Sequence, residues 1–414
     1  MSMRTAKEHL DTILDELKVA QRQRVPLAEA VGLVLAEDVT AAVDLPGFDN
    51  SSMDGYAVQA ASLEGADREP VELRIVGELA AGVARDVEVG PGEAARIMTG
   101  APLPAGADAV IPVEQTDGAP DGVVTCRAAV APGQFVRRRG EDVRAGTAVA
   151  WAGNVVGPRT VALIAASGHA ECVVHRRPHV LVVPTGDELV PPGEPLAPGQ
   201  IHDSNSTMLQ AAAVAAGATA EILPAVGDDD DALIRALDEA MGRADAIVTT
   251  GGVSMGAYDV VKSALKDKGV DFVSVAMQPG KPQGFGHVIE SSTRRRVPLF
   301  ALPGNPVSSY VSFEVFVRPA LRRLMGLEPE VRPVHPAIVT TAMRSPAGRE
   351  QFARAVVTRD AAGHLVAEPV AGQGSHFIAD LSRANALLVI PAAVTTVAAG
   401  DQVEVVLLDG EVCS

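Results

Sequence analysis

Phenylalanine, tyrosine and tryptophan together supply only 3% of the 414 residues. Cores must therefore be filled with Ala, Val, Leu and Ile, and the stacking platforms that hold single-stranded nucleic acid are missing. Basic residues are also in deficit: 35 Lys and Arg stand against 52 Asp and Glu, a net charge of −17. A field of that sign repels nucleic acid and anionic membranes, so neither is expected as a partner. Cysteine is sparse. Cys126, Cys172 and Cys413 lie far apart, match no metal-ligand or redox spacing, and suit a reducing compartment. No apolar run approaches the ~20 residues that a membrane span requires. The N-terminal stretch MSMRTAKEHLDTILDELK lacks the apolar core of a signal peptide. These absences lead to the expectation of a cytoplasmic protein.

With 47% of residues apolar and 21% charged, the chain can bury substantial cores, and its length allows two or more domains at the usual ~100–200 residues each. The first stretch reads as an amphipathic helix: Thr5 and Glu8 form a capping box, and Leu10, Ile13, Leu14 and Leu17 make one stripe. A short helical stretch near Leu27–Leu35 leads into the extended polar segment DLPGFDNSSMDGYAV. From about Val58 to Val130, Gly, Pro and short alternating runs such as Val71–Val76 indicate a small β domain. A helical stretch at Gly157–Ala166 can return to pack on the N-terminal helices.

Residues 171–330 are different in kind. Strands such as HVLVV and DAIVTT alternate with helices of ordinary length, which specifies βαβ units and a mostly parallel sheet covered on both faces. Pro319 should kink or shorten the last helix, Val307–Leu324. Beyond Val331 the chain returns to short strands, consistent with a small β-barrel. The fold class is thus multidomain α/β plus β: a central doubly wound α/β domain, a small β-rich domain, a helical and extended linking domain and a C-terminal β-barrel. The expected boundaries are 1–57 with 131–170, 58–130, 171–330 and 331–414.

In a parallel α/β sheet, ligands bind beyond the carboxyl ends of the strands. Five loops should meet there: Pro184–Glu188, Gly227–Asp229, Gly251–Ser254, Pro279–Pro282 and Leu302–Ser308. Paired glycines Gly251 and Gly252 let backbone N–H groups approach a phosphate, although the same loop also fits a ligand-free strand-to-helix turn. Ser308 stands at a helix N-terminus that attracts an anion, or that is simply capped. Asp187, Glu188, Asp228 and Asp259 bring carboxylates to this edge, where Mg²⁺ takes one or two carboxylates plus substrate phosphates. Asp228 could instead cap the next helix. Lys281, on a loop stiffened by Pro282, can neutralise an anion.

The ordered segments NSSMDGYAV, RIMTGAPLPAGADAVIPVE, RRRGEDV, PTGDEL, TTGGVSMGAYD, QPGKP, LPGNPVS and GSHFIADLSRANALLVIP run along essentially the whole chain. In these the chain closely resembles the molybdopterin molybdenumtransferase family, which includes the gephyrin C-terminal domain. The resemblance implies four domains, an elongated homodimer, and a cleft between the third domain of one subunit and the second domain of its partner. It implies a transferase of molybdenum cofactor biosynthesis that uses adenylylated molybdopterin, molybdate and Mg²⁺: AMP leaves, and molybdenum is ligated by the substrate's own dithiolene. Further partners are the molybdopterin adenylyltransferase and recipient molybdoenzymes.

Carried over position by position, the resemblance implies that Asp228 and Asp259 serve the metal–pyrophosphate centre, with Glu188 close by as a third metal candidate and Asp187 beside the substrate. Gly251, Gly252 and Ser254 would hold phosphate. Lys281 and Ser308, with Pro303, Gly304 and Asn305, would form the molybdate or terminal-phosphate pocket. Asp54 and Thr99 match the second-domain side, and Arg354, Ser375, His376 and Arg383 the fourth domain. His376 fits a structural histidine equally well. Arg137, Arg138 and Arg139 suit interdomain salt bridges or an acidic substrate. At Gln278 the chain departs from the pattern, because a lysine often stands there. Alternative functions are adenylylation of molybdopterin, scaffolding as in gephyrin, and a cofactor-binding paralogue without efficient insertion.

Overall fold

The structure, a computed structural model, describes residues 3–82, 86–119, 121–227, 229–253 and 259–408. The multidomain chain divides into two compact units: Arg24–Val174, and Met1–Gln23 together with His175–Ser414. Among the described residues no helix is long and apolar enough to cross a membrane.

The first helix, α1 (Ala6–Glu16), has the predicted capping box: Glu8 N–H donates to Thr5 Oγ1 at 3.1 Å and Thr5 N–H to the Glu8 carboxylate at 2.8 Å. The sequence reading groups it with residues 131–170, but its apolar stripe goes elsewhere. Ile13 and Leu17 are buried in one cluster with Phe316 and Leu324, and His9 sets its ring edge-on to Phe316 at 4.9 Å. An 11-residue helix is marginal alone and takes its stability from the apolar surface it covers, here the last helix of the α/β part.

Within Arg24–Val174, five strands build one sheet: β1 (Gly55–Val58), β2 (Val71–Leu79), β3 (Glu93–Ile97), β4 (Ala109–Pro112) and β5 (Val123–Cys126), in the order β4-β1-β3-β2-β5. Only β2 and β3 run parallel. A separate core joins Leu27, Ala30 and Leu35 to Val149, Ile164, Cys172 and Val174. Its helix α2 (Pro158–Ala166) packs on the short helix Leu27–Ala30. Two of the three consecutive arginines are bound inside this unit. Arg138 pairs with Asp49 at 2.7 Å and Arg139 with Asp44 at 2.5 Å.

The other unit holds a six-stranded sheet: β6 (His179–Pro184), β7 (Thr219–Ile222), β8 (Ala246–Thr250), β9 (Val270–Ser274), β10 (Pro282–Ile289) and β11 (Arg296–Leu302), in the order β7-β6-β8-β11-β10-β9. The first four in that order are parallel; β10 and β9 extend the sheet as antiparallel neighbours. The continuous apolar run of β6 serves both faces. Val180 and Val182 join one core with helices α3 (Ser204–Ala215), α6 (Pro306–Ser312) and α7 (Arg318–Met325). Leu181 and Val183 join another with α4 (Asp230–Ala240) and α5 (Val260–Leu265). Between α6 and α7 the backbone widens into a π segment, Phe313–Val317, just before Pro319. The proline, which has no N–H, therefore neither breaks nor shortens the helical run; the wider turn absorbs the missing bond.

Five strands then close into a barrel: β12 (Val334–Val339), β13 (Glu350–Arg359), β14 (Leu365–Pro369), β15 (Ala386–Ile390) and β16 (Gln402–Leu407). The ring runs β13-β14-β12-β16-β15 and returns to β13. Met277 and Gln278 add a short parallel strand on β13, opposite Glu350 and Gln351.

Candidate active site

The loops leaving β6, β8 and β11 are tied together by their backbones at the carboxyl edge of the sheet. Thr185 N–H donates to the Thr250 carbonyl at 3.2 Å, and Gly251 N–H to the Leu302 carbonyl at 3.2 Å. Asn205, from α3, donates its amide to Thr250 Oγ1 at 2.9 Å and to the Gly304 carbonyl at 2.6 Å. Gly251 has φ +101°, and a Cβ there would lie 2.7 Å from the Thr185 carbonyl oxygen. Only glycine lets these two loops touch.

Carboxylates lie flush against this edge. Asp187 Oδ1 is 2.4 Å from where a Gly227 Cβ would be, and Glu188 Oε2 is 2.4 Å from the corresponding point on Gly186. Asp259 stands at the N-cap of α5 without capping it through its side chain. Asp228 and Ser254 lie outside the described residues. The helix-capping role that the sequence left open for Asp228 belongs to Asp229, whose carboxylate accepts from Asp231 and Ala232 N–H at 2.9 and 3.2 Å. Among the described residues no three Asp, Glu, His or Cys side chains gather around one point. The donors at this edge are nevertheless carboxylate oxygens seated over glycines, which suits Mg²⁺, an ion that needs only one or two protein carboxylates beside phosphate and water.

A second group of residues meets beside the same edge. A pocket of about 440 Å³ is lined by Gln278, Lys281 and Ser308 from the α/β part, and by Arg349, Ser375 and His376 from the barrel part. Ser308 is 6% exposed, in the first turn of α6. Asn305 occupies the N-cap without a side-chain bond; instead Val307 N–H donates to the Ser375 carbonyl at 3.1 Å. That bond fastens the Ser375 loop to the helix and uses one of the N–H groups that the sequence reading offers to an anion. Pro303 is buried behind the loop, while Gly304 and Asn305 are exposed. His376 is exposed and rests on Phe377, with ring centroids 4.2 Å apart, so it is not a histidine buried for structure.

Arg349 is the residue that the sequence reading missed. It donates to Gln278 Oε1 at 3.2 Å. The position at which a cation was judged absent therefore holds one through its neighbour. Among the described residues neither Arg349 nor Lys281 enters a salt bridge. Two cations and two hydroxyls thus face one cavity in a strongly acidic chain.

Arg354 has the opposite fate. It is 1% exposed, and its guanidinium donates to the carbonyls of Gly372, Gly374 and Phe377. Burial pulls its pKa down, with Asp380 opposing. Its donors are directed into the loop that carries Ser375, a positioning role in place of the expected contact with substrate. Arg383 is exposed at the end of the helix Ile378–Arg383 and is not among the residues that line the pocket. In the Arg24–Val174 unit, Asp54 Oδ1 accepts from Thr99 N–H at 2.7 Å and Thr99 O–H at 2.8 Å. These bonds hold the Asp54 carboxyl below the usual range.

Three family models match in order: the MoeA N-terminal region (domain I and II) over residues 4–168, the "Probable molybdopterin binding domain" over 181–323, and the MoeA C-terminal region (domain IV) over 336–408. Molybdopterin molybdenumtransferase 2 of Mycobacterium tuberculosis is 47% identical, over 97% of this chain and 99% of its own. The chain belongs to the molybdopterin molybdenumtransferase family. Among other members, the Bacillus subtilis molybdopterin molybdenumtransferase is 35% identical over 95% of this chain and 91% of its own. The crystal structure of a molybdopterin biosynthesis MoeA protein from Pyrococcus horikoshii superposes with TM-score 0.84 at 31% identity, covering 99% of this chain and 100% of that one. This molybdenumtransferase-family chain is accordingly an enzyme.

Proposed function

We propose that the chain inserts molybdenum from molybdate into adenylylated molybdopterin, with Mg²⁺-dependent release of AMP, and so completes molybdenum cofactor. The observation that carries this reading is the pocket of about 440 Å³ in which Lys281, Arg349, Ser308 and Ser375 converge. A tetrahedral dianion needs two positive charges and several hydrogen-bond donors, and these side chains supply both. The pocket adjoins the loops of the carboxyl edge, where the Gly251–Gly252 backbone would hold phosphate and Asp187 would lie beside the substrate.

Asp228 and Asp259, with Glu188 close by, would hold Mg²⁺, which when bound would offset the charge of the pyrophosphate. Water cleaves the pyrophosphate link, AMP leaves, and the phosphate stays on the pterin. The two sulfur ligands for molybdenum come with the substrate. The chain's own Cys126 and Cys172 are buried in the cores of the other unit, and burial pushes the Cys126 thiol up to about 11. In this reading the enzyme is a cytoplasmic homodimer to which Asp54 and Thr99 contribute catalytic groups. Adenylylation of molybdopterin is not favoured, because relatives named molybdenumtransferases match along the full chain, barrel included.

The test is AMP release by purified protein given adenylylated molybdopterin and Mg²⁺, with and without molybdate. Molybdate-dependent release with formation of active cofactor is expected. Release indifferent to molybdate, or none from folded protein, would overturn the reading.

A further inference from the structure

Lys281 and Pro282 form a wall between two cavities. On one side is the oxyanion pocket; on the other lies a smaller cavity of about 310 Å³ lined by Val253, Lys262, Phe272 and Ser274, with Lys281 common to both. Four segments line it: Val253 lies in the loop after β8, Lys262 on α5, Phe272 and Ser274 on β9, and Lys281 just before β10. All four segments meet at the carboxyl edge of the sheet, where an α/β fold binds its ligands.

The lining runs against the composition of the chain. Acidic residues outnumber basic ones 52 to 35, yet two lysines and no described Asp or Glu face this cavity. One of only nine phenylalanines forms part of its apolar wall. A half-buried ring and buried Val253 supply apolar lining, and two ammonium groups with a hydroxyl supply donors to the same cavity. A planar heterocycle carrying a phosphate has the complementary shape and charge.

We infer that this cavity is a second anion compartment, which takes a phosphate-bearing heterocycle of the substrate while the larger pocket takes the oxyanion, and that Lys281 serves both. The inference rests on the function proposed above. Nothing in the sequence singled out Lys262, because only the folded sheet brings β9 and the residues before β10 beside α5.

The experiment is equilibrium binding to the full chain with three separate probes: molybdate, 5′-AMP and a pterin phosphate. Lys262→Ala should weaken one of the two heterocyclic phosphates about tenfold, the loss of one charge-assisted hydrogen bond, and leave molybdate binding unchanged. Arg349→Ala should do the reverse, and Lys281→Ala should weaken both classes. Lys262→Arg should restore the heterocyclic phosphate. Weakened 5′-AMP assigns the compartment to the nucleotide end, and weakened pterin phosphate to the other end. If Lys262→Ala changes neither, or weakens molybdate equally, the second compartment does not exist. A wild-type protein that binds no molybdate at all would instead sink the proposed function, so the two failures are distinct.

Discussion

Replacing Arg354 by methionine separates two roles that an arginine near an anion site can have. The guanidinium reaches the carbonyls of Phe377 at 2.8 Å and Gly374 at 3.0 Å, and that of Gly372. Gln373 adds to the same clasp by donating to the Arg354 and Val370 carbonyls at 3.1 and 2.9 Å. Each bond from a charged donor contributes ~1.5–3 kcal/mol, and methionine would leave three carbonyls in a tight loop without partners. Desolvating a guanidinium is itself costly, so part of that gross figure cancels. A net loss of about 3–5 kcal/mol is expected, since each buried carbonyl left without a donor costs ~1–3 kcal/mol. The assay is urea unfolding followed by circular dichroism, with hydrogen exchange at the Phe377 and Ile378 amides and molybdate binding on the same samples. Arg354→Met should unfold at lower urea, exchange faster at those amides and bind molybdate more weakly, with Arg354→Lys intermediate. A variant that keeps wild-type stability and exchange but no longer binds molybdate would refute the reasoning, because Arg354 would then touch the anion directly.

Arg349→Ala removes a cation from the pocket and should raise the KM for molybdate roughly tenfold in the AMP-release assay. Gly227→Ala places a Cβ 2.4 Å from Asp187 Oδ1 and must displace that carboxylate; the KM for adenylylated molybdopterin should then rise while the Mg²⁺ requirement stays unchanged. His9, buried against Phe316, has its pKa lowered from 6.5 to about 4, mainly by burial. The unfolded chain therefore binds the proton first as pH falls: the stabilisation is complete above pH 6.5, declines below it, and is spent near pH 4. A shift of that size amounts to about 3 kcal/mol, which should appear as a difference in the pH dependence of urea unfolding between wild type and His9→Phe. Parallel pH profiles for the two proteins would rule it out.

Local patterns were readable wherever the cause was local. The Thr5–Glu8 capping box and the two-sided β6 each depend on a few adjacent residues. What escaped depends on partners far away in the chain. Arg349 looks like an ordinary surface charge until Met277–Gln278 pairs with Glu350–Gln351 and brings it beside Gln278. Arg354, five residues on, looks equally suited to an anion, yet it lies on the face of β13 opposite the barrel-core residues Ala353 and Ala355, where backbone carbonyls claim it. The grouping of α1 failed for a similar reason: an amphipathic stripe announces that a surface will be covered but does not say which one. Pro319 suggests a kinked or shortened helix, but the helical run continues past it through a π turn.

The short strand Met277–Gln278 also makes the barrel and the α/β sheet share a backbone register. Met277 lies opposite Glu350 and Gln278 opposite Gln351, so the position of Arg349 over the cavity is set by main-chain hydrogen bonds and not by the fit of neighbouring side chains. Such a junction works like the teeth of a ratchet, with discrete settings and no gradual adjustment. Inserting one residue between Arg349 and the paired Glu350 would shift the charge by a whole step and turn it to the opposite face. Chimaeras that exchange barrels between relatives should therefore be joined where this two-residue pairing stays in phase, even if the rest of the interface is free to vary.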